Sequence, residues 1–370
     1  MDVRPFLKVM IERKASDLFI TAGFPPSAKI DGELRQLGES PFTPAQSLDF
    51  VESLMTDVQK QEFHESRECN FAFSAKDFGR FRVSAFWQRE SPGCVMRRIE
   101  TQIPDVDDLM LPPILKDLVM SKRGLVIMVG GTGTGKSTSL AALVGYRNNH
   151  ARGHILTIED PVEFVHDHRQ SIITQREVGI DTESFDAALK SSLRQAPDVI
   201  LIGEIRSQET MEFALSFAET GHLCMATLHA NNANQALDRI MHLVPESKHH
   251  QLLFDLSLNL RGIVAQQLVP KSDGTGRRAA IEVLINTPRV ASLIAKNELH
   301  SLKETMSKSN EQGMQTFDQA LLKLYTDGEI SYADALHHAD SPNDLRLMIK
   351  LQSSDPTSSS SMDGVTLNLD

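Results

Sequence analysis

Between residues 121 and 230, short runs that are apolar at nearly every position recur at intervals: Leu125-Val126-Ile127-Met128-Val129, then 155–158, 199–202 and 223–227. The stretches between them have the spacing of helices. A strand apolar on both faces is buried on both faces, so the pattern predicts a parallel sheet covered by helices, an α/β core. The first hundred residues read differently. Phe6, Leu7, Val9, Met10 and Ile11 predict a short amphipathic helix over 4–14. Strands are predicted over 17–21, 69–73 and 79–87, with 96–99 extending the sheet. In the run 79–87, Phe81, Val83 and Ala85 alternate with Arg80, Arg82 and Ser84. Asp31-Gly32 between 28–30 and 33–34 suits a tight hairpin turn, and 43–63 has a helical pattern.

These readings divide the chain into a small α+β domain over 1–100 and a linker over 101–120 punctuated by Pro104, Pro112 and Pro113. An α/β domain over 121–270 follows, then a helical region over 271–350. Beyond about residue 235 the pattern predicts helices at 235–242, 246–267, 288–296, 298–306, 315–325 and 331–337. The tail, 351–370, holds Ser358-Ser359-Ser360-Ser361 and few apolar residues, a composition that predicts disorder.

Composition narrows the partners. The formal net charge is −11, which disfavours nucleic acid as the main partner. The three cysteines, Cys69, Cys94 and Cys224, are dispersed and include no C-x-x-C pair. They read as free thiols in a reducing cytosol. No apolar run approaches the ~18 residues of a membrane span. Arg13 and Lys14 interrupt the only candidate for a signal-peptide core. The expectation is a cytoplasmic protein that can still dock on a membrane protein.

The strongest chemical signal is Gly130-Gly131-Thr132-Gly133-Thr134-Gly135-Lys136-Ser137, which fits G-x-x-x-x-G-K-[ST]. A strand precedes it and a helix-forming stretch from Thr138 follows, so backbone N–H groups and a helix N-terminus converge on phosphate. Lys136 is expected to reach the β/γ-phosphates and Ser137 to bind Mg²⁺. The run Asp198-Val199-Ile200-Leu201-Ile202-Gly203-Glu204 ends in Gly-Glu. Gly203 stands where P-loop proteins usually carry a metal-organising Asp, and Glu204 falls at the strand's C-terminal edge, where it can orient or deprotonate water. Glu159, Asp160 and Glu163 crowd a second strand end, around Pro161. Such carboxylates repel unless a cation offsets them.

His222 and His229 are seven apart along a predicted strand, an odd offset that points them to opposite faces and argues against a shared metal. Thr227 and His229 fall at its C-terminal end, on the phosphate side. Phosphoryl transfer depends on charge stabilisation, so arginines matter. Arg80, Arg82, Arg89, Arg97 and Arg98 cluster in the first domain, and Arg194 and Arg206 flank the Glu204 strand.

Taken together, the P-loop at 130–138, the "Asp box" at 157–163, the Gly203-Glu204 strand end and the "His box" at 222–232 resemble the secretion ATPases of type II secretion and type IV pili. The resemblance runs from about residue 5 to 340. Ala15-Ser16-Asp17-Leu18, Gly32 and Arg80-Phe81-Arg82-Val83 look like the PAS-like N-terminal domain of the retraction branch, the PilT/PilU family. Gly313-Met314-Gln315-Thr316-Phe317-Asp318 looks like its C-terminal region. The resemblance implies a RecA-like P-loop core and a homohexameric motor ATPase using ATP and Mg²⁺. By this likeness Gly130 to Thr138 bind nucleotide, Glu163 and Glu204 support hydrolysis, and His229 lies at the active site. Arg82 and Arg97 complete the site from the N-terminal domain. The implied partners are a PilT paralogue and the inner-membrane platform protein of the pilus.

Two segments depart from the PilT pattern. The signature hexamer Ala-Ile-Arg-Asn-Leu-Ile reads Arg289-Val290-Ala291-Ser292-Leu293-Ile294, so Ala291 replaces its central arginine, and Phe19 replaces a histidine. The likeness is therefore greatest to the accessory, PilU-like branch. Three further readings are weighed: a pilus-extension or type II secretion ATPase, a nucleotide-gated structural partner with little turnover, and a RecA-like DNA motor. The first usually carries a tetracysteine zinc module, which three dispersed cysteines do not supply, and the last lacks a basic-aromatic stripe.

Overall fold

Alternating apolar and polar positions build the first of two sheets. A computed structural model describes residues 1–30, 32–99 and 102–353. Asp31 of the expected turn and residues 354–370 of the expected disordered tail lie outside them, while 351–353 are helical. The chain divides into two compact units, the first made of Met1–Ile103 with Glu159–Asp167 and Gln175–Ala188. Its strands are β1 (Asp17–Thr21), β2 (Ser27–Ile30), β3 (Glu33–Gln36), β4 (Glu68–Ala75), β5 (Gly79–Gln88) and β6 (Ser91–Arg98). They pair antiparallel in the order β3-β2-β1-β6-β5-β4. Phe81, Val83 and Ala85 are buried, as their alternation predicts, and pack with Leu18, Met96 and Phe50.

The single helix expected over 43–63 is instead two, Pro44–Ser53 and Asp57–Ser66. Each begins in a capping box, Thr43 with Gln46 and Thr56 with Gln59. The Thr56 hydroxyl accepts the Gln59 N–H, which starts a new helix rather than continuing the old one.

The second unit comprises Pro104–Ile158, His168–Thr174 and the chain from Leu189 onward. The second sheet has strands β7 (Gly124–Val129), β8 (Gly153–Glu159), β9 (Ser171–Glu177), β10 (Val199–Ile202), β11 (Leu223–Leu228), β12 (Leu260–Pro270) and β13 (Arg277–Ile285). Their order is β13-β12-β7-β11-β10-β8-β9. The pairs β8–β10, β10–β11, β11–β7 and β7–β12 are parallel, while β12–β13 is antiparallel. Every residue of β7 and β10 is buried, which accounts for their unbroken apolar runs. The helix Lys136–His150 follows β7 directly. This is a RecA-like P-loop core with helical regions added.

The clearest correction concerns 246–267. The helix His249–Asn259 stops there, and Leu260 begins β12. Leu, Ala and Gln favour helix in isolation, but β12 lies between β7 and β13, and packing on both sides overrides propensity. Gly262 marks the close approach, since a Cβ there would lie 2.7 Å from the Leu284 carbonyl. β13 likewise falls in the region expected to be helical. The edge strand β9 and the helix Pro342–Ser353 are additions to the elements expected from the sequence. The stretch 298–306 is a 3₁₀ turn, Leu299–Ser301, and a short helix, Leu302–Ser307.

Candidate active site

The P-loop bridges the end of β7 and the helix Lys136–His150. Gly130 has φ +156° and Gly135 φ +84°, conformations that favour glycine. A Cβ at Gly130 would lie 2.6 Å from Thr134 Oγ1, and one at Gly135 would lie 2.8 Å from Gln266 Nε2. Lys136 Nζ donates to the carbonyl oxygens of Gly130 and Gly131, each at 2.7 Å. Thr134 Oγ1 donates to the Gly131 carbonyl at 2.9 Å. The Gly130 and Gly131 carbonyl groups are thus engaged by the chain itself. In such loops the N–H groups are the ones that meet phosphate.

Parallel pairing brings the other elements alongside. Leu228 of β11 pairs with Val129 of β7, so His229 follows β11 where Gly130 follows β7. Ile202 of β10 pairs with Ala226 of β11, which sets Gly203 and Glu204 at the same edge. His229 Nε2 lies 3.3 Å from Glu204 Oε1, and Arg206 Nε donates to Glu204 Oε2 at 2.6 Å. The Glu204 side chain is 14% exposed, so both oxygens are held at a largely enclosed carboxylate. A carboxylate oriented this way can hold a water for attack and accept its proton. The Thr227 hydroxyl donates to the Gly203 carbonyl, and Ile205 N donates to Thr227 O at 2.9 Å. Thr227 therefore shapes the backbone that presents Glu204. A cleft of 630 Å³ opens beside Gly131 and His229, lined further by Asn231, Gln235, Asp238 and Arg239.

Other expected residues stand on other elements. His222 stands before the first residue of β11, bonded to Thr220 Oγ1 and the Phe217 carbonyl. The two histidines are at opposite ends of a strand rather than on its opposite faces. Arg194, in the 3₁₀ turn Leu193–Gln195, is exposed and makes no ion pair among the described residues. Arg82 and Arg97 belong to the first unit and are each bound to a carboxylate there. Arg82 Nη2 donates to Glu177 Oε1 at 2.9 Å, and Arg97 Nε to Asp17 Oδ1 at 2.7 Å. Glu163 belongs to the same unit and is exposed. Its segment is anchored by the Val162 N–H, which donates to Glu177 Oε2 at 3.4 Å.

The cysteines are free and buried, and burial pushes the Cys94 thiol up to about 12. Among the described residues no cluster of three or more His, Cys, Asp or Glu could hold a metal ion. Nor is any helix there long and apolar enough to cross a membrane.

Sequence reading missed two residues. Gln266, on β12 and 2% exposed, sits against the P-loop. Its only signal was a polar pair, Gln266-Gln267, inside an apolar run. Glu177, also 2% exposed, ties Arg82 to the Asp box. It lies on β9, a strand without a clear sequence signal.

A family model described as "Type II/IV secretion system protein" matches residues 2–336. The type IV pilus ATPase PilU of Pseudomonas aeruginosa is 62% identical over 353 residues, covering 95% of this chain and 92% of that one. The type IV pilus retraction ATPase PilT of the same organism is 39% identical, covering 92% of this chain and 99% of that one. A crystal structure of the pilus retraction motor PilT with bound ADP matches at a TM-score of 0.88 and 40% identity, covering 94% of this chain and 100% of that one. Likeness on this scale, extending over nearly the whole chain, makes this protein a member of the type II/IV secretion system protein family.

Proposed function

We propose that this chain is a motor ATPase that drives or assists type IV pilus retraction, assembling as a homohexamer and working with a PilT paralogue. The observation that carries the reading is Glu204, held by His229 and Arg206 at the edge that also bears the P-loop and Lys136. Residues Gly130 to Thr138 bind the phosphates of ATP. Lys136 exchanges its carbonyl partners for phosphate oxygens. Glu204 orients water toward the γ-phosphate and takes its proton, and His229 responds to that phosphate through its contact with Glu204. Ser137 fits as the Mg²⁺ ligand. It stands in the first turn of the helix and its hydroxyl makes no hydrogen bond among the described residues. When bound, the metal offsets phosphate charge. Glu163, Arg82, Arg97 and Arg194 are further contributors to hydrolysis.

The protein is cytoplasmic on this reading, peripheral at the inner membrane through the platform protein of the pilus. The acidic balance speaks against nucleic acid as a partner.

A second reading, a nucleotide-gated partner of a PilT ring with little turnover of its own, draws support from the helix Pro288–Ala295. It buries Val290, Leu293 and Ile294 and leaves Ala291 half-buried where the retraction hexamer carries arginine. Steady-state ATP hydrolysis with and without a PilT paralogue separates the two. Turnover by the chain alone supports an autonomous motor. Turnover only in the mixture supports the accessory role, and none in either excludes an enzyme.

A further inference from the structure

Gln266 is one residue beyond Ala265, the register partner of Val129, which is the last residue before the P-loop. Its side chain is buried, and both arms are used. Ser139 Oγ donates to Gln266 Oε1 at 2.8 Å, and Gln266 Nε2 donates to the Thr134 carbonyl at 2.8 Å. Ser139 lies on the helix that follows the P-loop, so one amide joins the adjacent strand, the loop and the helix. The main chain closes in as well, since a Cβ on Gly130 would lie 2.7 Å from the Gln266 carbonyl oxygen.

The Thr134 carbonyl can only accept, so it fixes which way round the amide lies: the NH₂ faces the loop. Oε1 then accepts from the Ser139 hydroxyl, which anchors the other arm of the amide. The Thr134–Gly135 peptide is trans, and in a trans peptide C=O and N–H point in opposite directions. Holding the Thr134 carbonyl toward β12 therefore turns the Gly135 N–H away from β12. The same peptide turned by half a rotation would present its carbonyl oxygen to an anion and repel it.

We infer that Gln266 is a positioning residue of the phosphate site: its amide, anchored by Ser139, fixes the Thr134–Gly135 peptide so that the Gly135 N–H is aimed at nucleotide phosphate. Gln266 touches no nucleotide and acts through the loop. Because it sits on β12, the loop's geometry is tied to the β12–β13 pair and not only to β7. The inference rests on the P-loop binding ATP as proposed above.

The test is equilibrium titration of the full chain with ATP and ADP carrying a methylanthraniloyl fluorophore, alongside thermal unfolding. Q266L removes both arms, and Q266E keeps the acceptor but loses the donor. Each is expected to weaken ATP and ADP alike by about tenfold, the usual scale for one lost buried hydrogen bond with its partner left unpaired. S139A is expected to weaken binding by roughly threefold in the parent and to have no further effect in Q266L, because the hydroxyl acts only through the amide. Affinities within twofold of the parent in folded Q266L or Q266E, whatever the change in melting temperature, overturn the inference. If neither folds, S139A decides it: unchanged affinity overturns the inference and weakened affinity for both nucleotides upholds it. K136A separates the two levels. If the parent binds no better than K136A, the P-loop reading itself fails. If the parent binds tightly and the Gln266 variants match it, only this inference fails.

Discussion

Arg82 and Arg97 stand directly opposite one another across the antiparallel pair β5–β6. Like charges in that relationship repel, and each arginine here is engaged by a carboxylate on another element, Glu177 for Arg82 and Asp17 for Arg97. The Asp17 side chain is 6% exposed whereas that of Arg97 is 69% exposed, so the enclosed carboxylate anchors a solvated guanidinium.

Asp17→Asn is expected to lower the stability of the first unit by about 1–3 kcal/mol, since it removes the counter-charge and leaves two arginines facing each other. Trp87, the chain's one tryptophan, lies on β5, so thermal unfolding followed by its fluorescence reports on this unit. An unchanged melting temperature contradicts the assignment.

Glu282 gives the protein a pH dependence of known sign. It lies on β13, 1% exposed, and Oε1 accepts the Ala233 N–H at 2.8 Å. Burial pushes its carboxyl up to about 7 and Asp340 adds to the rise, while the Ala233 amide, Lys303 and the Phe317 amide oppose it. The folded chain therefore keeps a proton that the unfolded chain releases at the ordinary carboxylate value. Stability from this group is fully present below about pH 4.5 and is lost as pH rises to about 7. Glu282→Gln keeps an acceptor for Ala233 and removes the charge. It is expected to be more stable than the parent at pH 8, by up to about 3 kcal/mol, and equal to it near pH 4. Denaturant midpoints at the two pH values check this, and a variant less stable at pH 8 contradicts it.

Two glycines of the P-loop separate backbone strain from steric conflict. Gly133 has φ +78° and open space where a Cβ would stand, with nothing within 4 Å, whereas a Cβ on Gly135, φ +84°, meets Gln266 Nε2 at 2.8 Å. Gly133→Ala is expected to cost about 1–2 kcal/mol from the left-handed backbone alone. Gly135→Ala is expected to add the loss of the Gln266 contact and weaken ATP binding by about tenfold more than Gly133→Ala does. Equal affinities in the two variants contradict this.

How much was legible follows from where the signals lie. The P-loop, Gly203-Glu204 and His229 were readable because each is a local run at the end of an apolar strand, and parallel pairing then brings those ends together. Gln266 was not, because its role exists only once β12 lies beside β7, and residues 260–267 carry helix-forming Leu, Ala and Gln. Glu177 was missed for a related reason. β9 is an edge strand with mixed burial and no clean alternation. The break at Leu54–Thr56 was visible as a Thr56-x-x-Gln59 capping signature, but the apolar pattern ran across it.

The central claim is that Glu204 activates water at a nucleotide held by the P-loop, and the most direct test is Glu204→Gln. This change keeps the shape and one acceptor oxygen for Arg206 but removes the charge and the base. Nucleotide affinity and turnover should be measured on the same preparation. The account predicts affinity within about twofold of the parent and turnover lowered by at least about a hundredfold. Turnover within tenfold of the parent, with binding intact, would contradict it and move the catalytic base away from Glu204.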